Sequence, residues 1–379
     1  MESTSILQIV SGFAPDTDGM GDFSRHLGST LYAQHSIKSH YLVYRRPAVP
    51  CDVNLITPNS ISYPDRQSPS SLLARARELK SIHSFDTALL HYGPYAYSPD
   101  GAPRPFVEVI EALSKELRVI VYFHELYASG KPWRRAFWTK GEQKRSVCEL
   151  MTGAVLCITS NSEYMEKLER QNPNSRPLVK IPVISNIGEP AHLVPLAQRA
   201  RQIVVFGQHE NRARLYRHHA RTIVSLCRSL DVQSLVDVGS GDISQIPKRL
   251  GEVKVKSMGR MEDGPLSRLL ADSVAGVIGY WPDVWEKSGV IAAYEAHAMI
   301  PVLISLEERR MPAPSFVPYV LPEDLELLSS QHSETLQVKL QSIADAALDY
   351  YNAHQSVNHG AKIIASCVEQ EHVSRAGCK

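Results

Sequence analysis

Short apolar runs alternate with longer amphipathic segments from end to end of this chain. A chain patterned this way buries its strands as parallel sheets covered by helices. In the first half the strand-like runs are Ile6–Val10, Tyr41–Tyr44, Thr87–His91, Val119–Phe123 and Ala154–Thr159, with Lys180–Val183 closing the set. Between them the spacing predicts helices over Phe23–His35, Ser70–Ser84, Phe106–Leu117 and Glu163–Arg170. Around Ser185–His192 the pattern breaks at Gly188 and Pro190. It resumes with Ile203–Phe206, Leu235–Val238, Val253–Lys256, Ala275–Ile278 and Val302–Ser305. The expectation is therefore an α/β protein of two Rossmann-like halves, residues 1–190 and 191–350, ending in one long helix over about Ala344–Glu371. At 379 residues each half has enough chain for its own core.

Lys and Arg total 41 against 40 Asp and Glu, a net charge of +1. That balance gives no global attraction for nucleic acid, so nucleic acid is not expected as a partner. The six cysteines (Cys51, Cys148, Cys157, Cys227, Cys367, Cys378) show neither CxxC pairing nor metal-ligand spacing. They read as reduced thiols and point to a cytoplasmic protein. The N-terminus does not have the charged and apolar regions of a signal peptide. No apolar run approaches the ~18–20 residues that span a bilayer.

The stretch from Glu286 to Ile304 is the most informative chemically. Glu286 precedes a Ser288-Gly289 pair, Glu295 follows on a predicted helix, and the helix ends at Pro301 before the run Val302-Leu303-Ile304. Backbone N–H groups of Ser288, Gly289 and Val290 at a helix start can hold a diphosphate. About two turns on, Glu295 can accept hydrogen bonds from a ribose diol, leaving Glu286 to face whatever the diphosphate carries. In outline that is a nucleotide-sugar site. The other reading is an ordinary αβ unit with solvated glutamates.

Other stretches add to it. Gly19-Met20-Gly21-Asp22 stands between the first strand and a helix, where Gly21 lets backbone approach a ligand. Asp22 either orients an acceptor hydroxyl or caps the helix. His124 follows the run Val119–Phe123, at the end of a parallel strand where ligands meet an open α/β sheet. His91-Tyr92-Gly93-Pro94-Tyr95-Ala96-Tyr97 offers aromatic stacking for a sugar, with Tyr95 the chosen residue. Between Gly130 and Arg145 cations interleave with Trp133, Phe137 and Trp138. This suits a lipid-linked acceptor or a membrane surface, unless both tryptophans pack inward.

Taken in order, these elements resemble the retaining glycosyltransferases of GT-B fold, specifically family 4 (group 1), over nearly the whole chain. That family writes its signature as Glu, seven residues, Glu, then Ala-x-Ala-x-Gly-x-Pro-Val. Here eight residues separate Glu286 from Glu295, and strict spacing puts Tyr294 at the second position. The resemblance implies that the C-terminal helix crosses back to the first domain and that transfer occurs between the domains. It gives His124 and Glu286 to the transferred sugar, Gly21 to the diphosphate, and Met258-Gly259-Arg260 to the nucleobase edge. Family members carry Gly-Arg after the strand Val204–Phe206 and a Lys about five residues on. This chain has Gln208 and Ala213 there, so Arg212 or Arg214 must supply the charge, with Arg212 preferred.

Asp16-Thr17-Asp18-Gly19 mimics the metal-binding Asp-x-Asp of other glycosyltransferases and a dehalogenase-type phosphatase motif. It reads as loop chemistry, and the resemblance implies no metal and no cofactor. The implied reaction is hexose transfer from a nucleoside-diphosphate sugar, UDP-glucose or another UDP-hexose first, to a glycan or lipid-linked acceptor in polysaccharide assembly. A peripheral contact with the inner face of the membrane is left open. Leu235-Val-Asp-Val-Gly-Ser-Gly241 copies the cofactor loop of S-adenosylmethionine methyltransferases, which stand as one alternative. The other is a catalytically inactive nucleotide-sugar-binding protein.

Overall fold

A computed structural model describes residues 4–13, 19–46, 59–128, 135–172, 174–306, 317–329 and 333–376. The chain divides into two compact units, residues 1–182 with 357–379, and residues 183–356.

The first unit runs β1 (Ser5–Val10), α1 (Gly19–His35), β2 (Lys38–Val43), β3 (Ser60–Ser62), α2 (Pro69–His83), β4 (Thr87–Tyr92), α3 (Pro94–Tyr97), α4 (Arg104–Ser114), β5 (Arg118–Phe123), α5 (Arg135–Gly153), β6 (Ala154–Thr159), α6 (Ser162–Gln171) and β7 (Leu178–Lys180). Its seven strands are ordered β3-β2-β1-β4-β5-β6-β7 and are all parallel. One face buries Leu7, Ile9, Leu90, Val121 and Phe123 with Leu72 and Leu79 of α2 and Phe106 and Ile110 of α4. Local signals start the helices: Ser68 accepts from the Ser71 N–H ahead of Pro69, and Asn161 Oδ1 from the Tyr164 N–H at 2.8 Å. The last strand ends before Pro182, whose missing N–H cannot serve a ladder, so it lies earlier than the expected Lys180–Val183.

The second unit runs β8 (Ala200–Phe206), α7 (His209–Ser229), β9 (Ser234–Val238), β10 (Arg249–Leu250), β11 (Val253–Ser257), α8 (Asp263–Ala271), β12 (Ser273–Tyr280), α9 (Gly289–Ala296), β13 (Ile300–Ser305), α10 (Pro322–Ser329) and α11 (Ser333–His354). Strand order is β10-β11-β9-β8-β12-β13, parallel except for the β10–β11 pair. In both sheets the chain order reverses beside the first strand, between β1 and β4 and between β8 and β12. Such points open a crevice at the carboxyl ends of the strands.

The single long terminal helix expected from the sequence is two. The Gln355 and Ser356 N–H groups both bond back to Tyr351 O, at 2.9 and 2.8 Å, which closes α11. The chain then enters α12 (Val357–Ala376), which belongs to the first unit. There Asn358 Oδ1 accepts from Gln34 Nε2 at 2.7 Å, and Cys367 O from Arg118 Nη1 at 2.9 Å. Among the described residues no helix is long and apolar enough to cross a membrane.

Candidate functional site

At the carboxyl edge of the second sheet, three loops are tied to one another. The Gly207 N–H donates to Val238 O (3.2 Å), Gly239 N–H to Gly259 O (2.9 Å), and Met258 N–H to Asp237 O (2.8 Å). Gly239 has φ +148°, and a β-carbon there would collide with Gly207 O and stand 2.7 Å from Arg212 Nε. Only glycine lets these loops close on each other. A β-carbon on Gly207 would touch Val290 Cγ2 at 3.6 Å, so the start of α9 adjoins the same group.

Arg212 is the rivet of this assembly. Its Nε donates to Gly207 O (2.9 Å), Nη2 to Ser240 O (2.6 Å), and Nη1 pairs with Asp237. Asp237 also accepts from Tyr216 (2.9 Å) and Ser257 (3.2 Å). Arg212 is 3 % exposed, with each of its three nitrogens donating to a partner inside this group of loops. The preferred role for Arg212 is therefore corrected: burial beside Asp237 makes it a holder of loops. Arg214 and Arg260 are exposed.

Ser288 caps α9, its hydroxyl accepting from the Ile291 N–H at 3.2 Å, but its own N–H already donates to Trp285 O at 2.9 Å. Of the three expected donors, Gly289 and Val290 keep N–H groups with no partner within the helix. Glu286 is buried at the end of the preceding turn, its carbonyl accepting from Val183 N–H at 3.0 Å. Lys287, between them, is half-buried.

Glu295 lies elsewhere. It is 0 % exposed, its Oε2 takes a hydrogen bond from Gln355 Nε2, and burial pushes its carboxyl well above the usual range. No carboxylate oxygen reaches a surface where a ribose could meet it, which corrects that expectation. The one-residue shift is the cause: Tyr294 occupies the sheet-facing position. Its hydroxyl accepts from the Phe206 N–H at 3.1 Å, and its ring covers Gly276.

At the carboxyl edge of the first sheet, Gly21 packs on the carbonyl of Gly12, and Met20 Sδ would lie 3.6 Å from a β-carbon at Gly93. Asp22 is exposed in the first turn of α1, past the capping position. His124 is half-buried, stacked on Tyr122 (centroids 4.3 Å, 17°) with the edge of Phe23 at 5.3 Å. Its Nε2 lies 3.1 Å from Nδ1 of His91, whose Nε2 lies 3.0 Å from Gln8 Oε1. His91, Tyr92 and Tyr97 are buried, so the expected aromatic surface reduces to Tyr95, 48 % exposed. Trp138 does not pack inward: it is 76 % exposed on α5. Trp133 and the Asp16–Asp18 pair lie outside the described residues.

No protein-family model matches the chain, and no curated protein matches it by sequence. Solved structures do. An alpha-glucosyltransferase in complex with UDP and a 13-mer DNA containing a HMU base has a TM-score of 0.57 at 11 % identity, over 97 % of this chain and 99 % of that one. An alpha-glucosyltransferase in complex with UDP-glucose and DNA containing an abasic site has 0.57 at 11 %, over 96 % and 99 %. An alpha,alpha-trehalose-phosphate synthase (UDP-forming) from Burkholderia vietnamiensis has 0.53 at 13 %, over 97 % and 98 %. The exclusion of nucleic acid is corrected by the first two, solved with DNA bound: a net charge averaged over 379 residues does not bar such a partner from this fold. At this identity the likeness is one of fold, and the chain has the two-unit α/β architecture of the GT-B glycosyltransferases.

Proposed function

We propose that the chain is a glycosyltransferase that moves a hexose from a nucleoside-diphosphate sugar, a UDP-hexose first, to an acceptor hydroxyl. The observation that carries this reading is the convergence of Gly207, Gly239, Gly259 and the start of α9 at the carboxyl edge of one parallel sheet. That edge offers a helix N-terminus, with the N–H groups of Gly289 and Val290, to phosphates. In this reading Met258, Gly259 and Arg260 meet the base, and Gly289, Val290 and Lys287 meet the diphosphate. Glu286 positions the sugar, and Asp22 and Tyr95 of the first unit serve the acceptor. Departure of the sugar leaves charge on the diphosphate, which fixed donors stabilise without reorganisation. Family 4 membership, retention of the anomeric configuration and independence of metal belong to the same proposal.

The proposed acceptor is a glycan or lipid-linked sugar. A hydroxyl-bearing nucleic acid is the second acceptor class, favoured by the neighbours solved with DNA. Calorimetry with UDP, GDP, ADP and S-adenosylmethionine tests the donor assignment. One nucleoside diphosphate should bind, and Lys287→Ala should weaken it roughly 10- to 150-fold, the worth of a charged hydrogen bond. Binding of S-adenosylmethionine alone, or of nothing, overturns the proposal. Nucleotide binding without transfer to either acceptor class marks the inactive binding protein instead.

A further inference from the structure

Charge is segregated within the second unit. Residues 199–260 carry 12 Lys and Arg against 5 Asp and Glu, whereas residues 261–356 carry 5 against 14. Helix α7 concentrates the contrast: beyond Glu210 it has Arg212, Arg214, Arg217, Arg221 and Arg228 and no acidic residue. The helix bends at His219, whose φ of −124° and ψ of 22° are not helical. On both sides of the bend its apolar side chains, Leu215 and Tyr216, then Ile223 and Leu226, enter the same core. Arg214, Arg217, Arg221 and Arg228 consequently come out on the opposite, exposed side. Among the described residues Arg214, Arg217 and Arg221 meet no carboxylate. Beside the last two arginines a groove of about 530 Å³ opens between α7 and β10. Arg221, Arg228 and Arg249 line it with Val224 and Leu250, and no acidic side chain does. Arg228 and Arg249 are anchored from outside on Glu252, through its carboxylate at 2.8 Å and its carbonyl at 2.9 Å. Glu323 and Glu326 of α10 border the other flank of Arg221 and end the basic surface there.

We propose that this face of α7 and the adjoining groove form a docking surface for the phosphate backbone of a nucleic acid, with Arg214, Arg217, Arg221, Arg228 and Arg249 as its phosphate contacts. From Arg214 to Arg228 the helix rises about 21 Å, more than one phosphate can meet, so the fitting ligand is an extended polyanion. Every Lys or Arg position of α7 is Arg, whose planar fork binds phosphate through two donors and also stacks on bases. Val224 and Leu250 add apolar atoms that suit the flat face of a base rather than a hydroxyl-rich acidic sugar. A membrane surface fits less well, because none of the exposed large hydrophobic side chains lies on α7 to enter lipid. Contacts of this kind position a backbone without reading sequence. The surface stands on charge and burial alone. That the docked nucleic acid is also the acceptor rests on the glycosyltransferase reading.

The test is fluorescence anisotropy of the full chain with a labelled DNA oligomer of about 20 nucleotides, as single strand and as duplex, between about 0.05 and 0.3 M salt. Affinity should fall along a log–log slope of about −3.5 for the single strand or about −4.5 for the duplex, five contacts at about 0.7 or 0.9 each. Arg217→Gln with Arg221→Gln should flatten the slope by about 1.4 to 1.8 and lower affinity roughly 25- to 60-fold at about 0.1 M salt. Lys115→Gln with Lys362→Gln removes the same charge from exposed positions of the first unit and should change neither. Equal losses in the two variants overturn the proposal, as do a salt-independent affinity and an absence of binding at about 0.05 M salt. Displacement of the oligomer by polygalacturonate or phosphatidylglycerol vesicles, as effective per charge as unlabelled oligomer, overturns it in favour of an acidic glycan or a membrane. Melting temperatures verify that both variants fold; should one fail, the wild-type slope and the competitors decide. UDP calorimetry separates the two readings. UDP binding without oligomer binding sinks this surface alone, and the reverse sinks the glycosyltransferase reading alone.

Discussion

Glu295 and Gln355 meet inside the second unit, the carboxyl group of α9 accepting from an amide just past the end of α11. The contact sits where the chain leaves the second unit, and Tyr351, one turn earlier, donates to Glu189 at 3.1 Å and accepts from the Ser185 N–H at 3.3 Å. A motif glutamate is thereby turned into an internal strut.

Burial raises the Glu295 pKa well above 4.5, so the folded state keeps a proton that the unfolded chain releases. The sign follows: above pH 4.5 the unfolded state binds fewer protons, and stability is lost as pH rises toward the folded pKa. Glu295→Gln removes that dependence. Its melting temperature should exceed wild type by a margin that widens from pH 5 to pH 8, with UDP affinity unchanged. Equal margins at both pH values would falsify the buried-proton account.

Three buried histidines work the other way. Burial pushes His91 down to about 3 and His297 and His40 down to about 4. Each is neutral when folded and takes a proton when unfolded, so stability is fully present above pH 6.5 and is lost as pH falls toward the folded values. For His91 alone the loss approaches about 1.4 kcal/mol per pH unit. Urea midpoints should drop steadily between pH 7 and pH 5, and His297→Gln should flatten the slope; a midpoint that holds or rises on acidification contradicts this.

Gly276 leaves room for the Tyr294 ring, with which a β-carbon at 276 would collide. Gly276→Ala should cost about 1–3 kcal/mol, as overpacking does in a well-filled interior. Tyr294→Phe, which strips the Phe206 N–H of its acceptor, should cost about 1–3 kcal/mol. Because the two sites touch, the double variant measured by chemical denaturation should fall short of the sum. Strict additivity would mean the contact is absent.

Arg212 and Arg214 should separate sharply. Removing Arg212 strands Asp237 in the interior, so Arg212→Ala should destabilise by about 3–5 kcal/mol and abolish nucleotide binding through the loops it holds. Arg214→Ala, on an exposed side chain, should leave the melting temperature within about 1 °C. Matching losses in the two variants would refute the assignment of Arg212 as the loop holder.

Much of the architecture was legible in sequence because it is written locally. Apolar runs such as Val119–Phe123 and Ala275–Ile278 can only be buried strands, and their alternation with helices dictates parallel sheets. Once the sheets are parallel, the loops carrying Gly21, His124, Gly259 and Ser288 must gather at carboxyl edges. The two-residue β10 and three-residue β3 escaped notice because pairing along a sheet edge, not periodicity, makes them strands.

Tertiary structure alone decided which side chains face that edge. A shift of one residue turned Tyr294 toward the sheet and Glu295 toward Gln355, a rotation of about 100° that spacing along a helix registers but cannot weigh. Arg212 looked like a phosphate cation until Asp237, 25 residues away in sequence, claimed it. His91 looked like part of a stacking surface until Gln8, 83 residues away, placed it in the core. Local sequence sets periodicity and therefore elements; the partner of a buried polar group is chosen by distant residues, and only the folded chain brings those together.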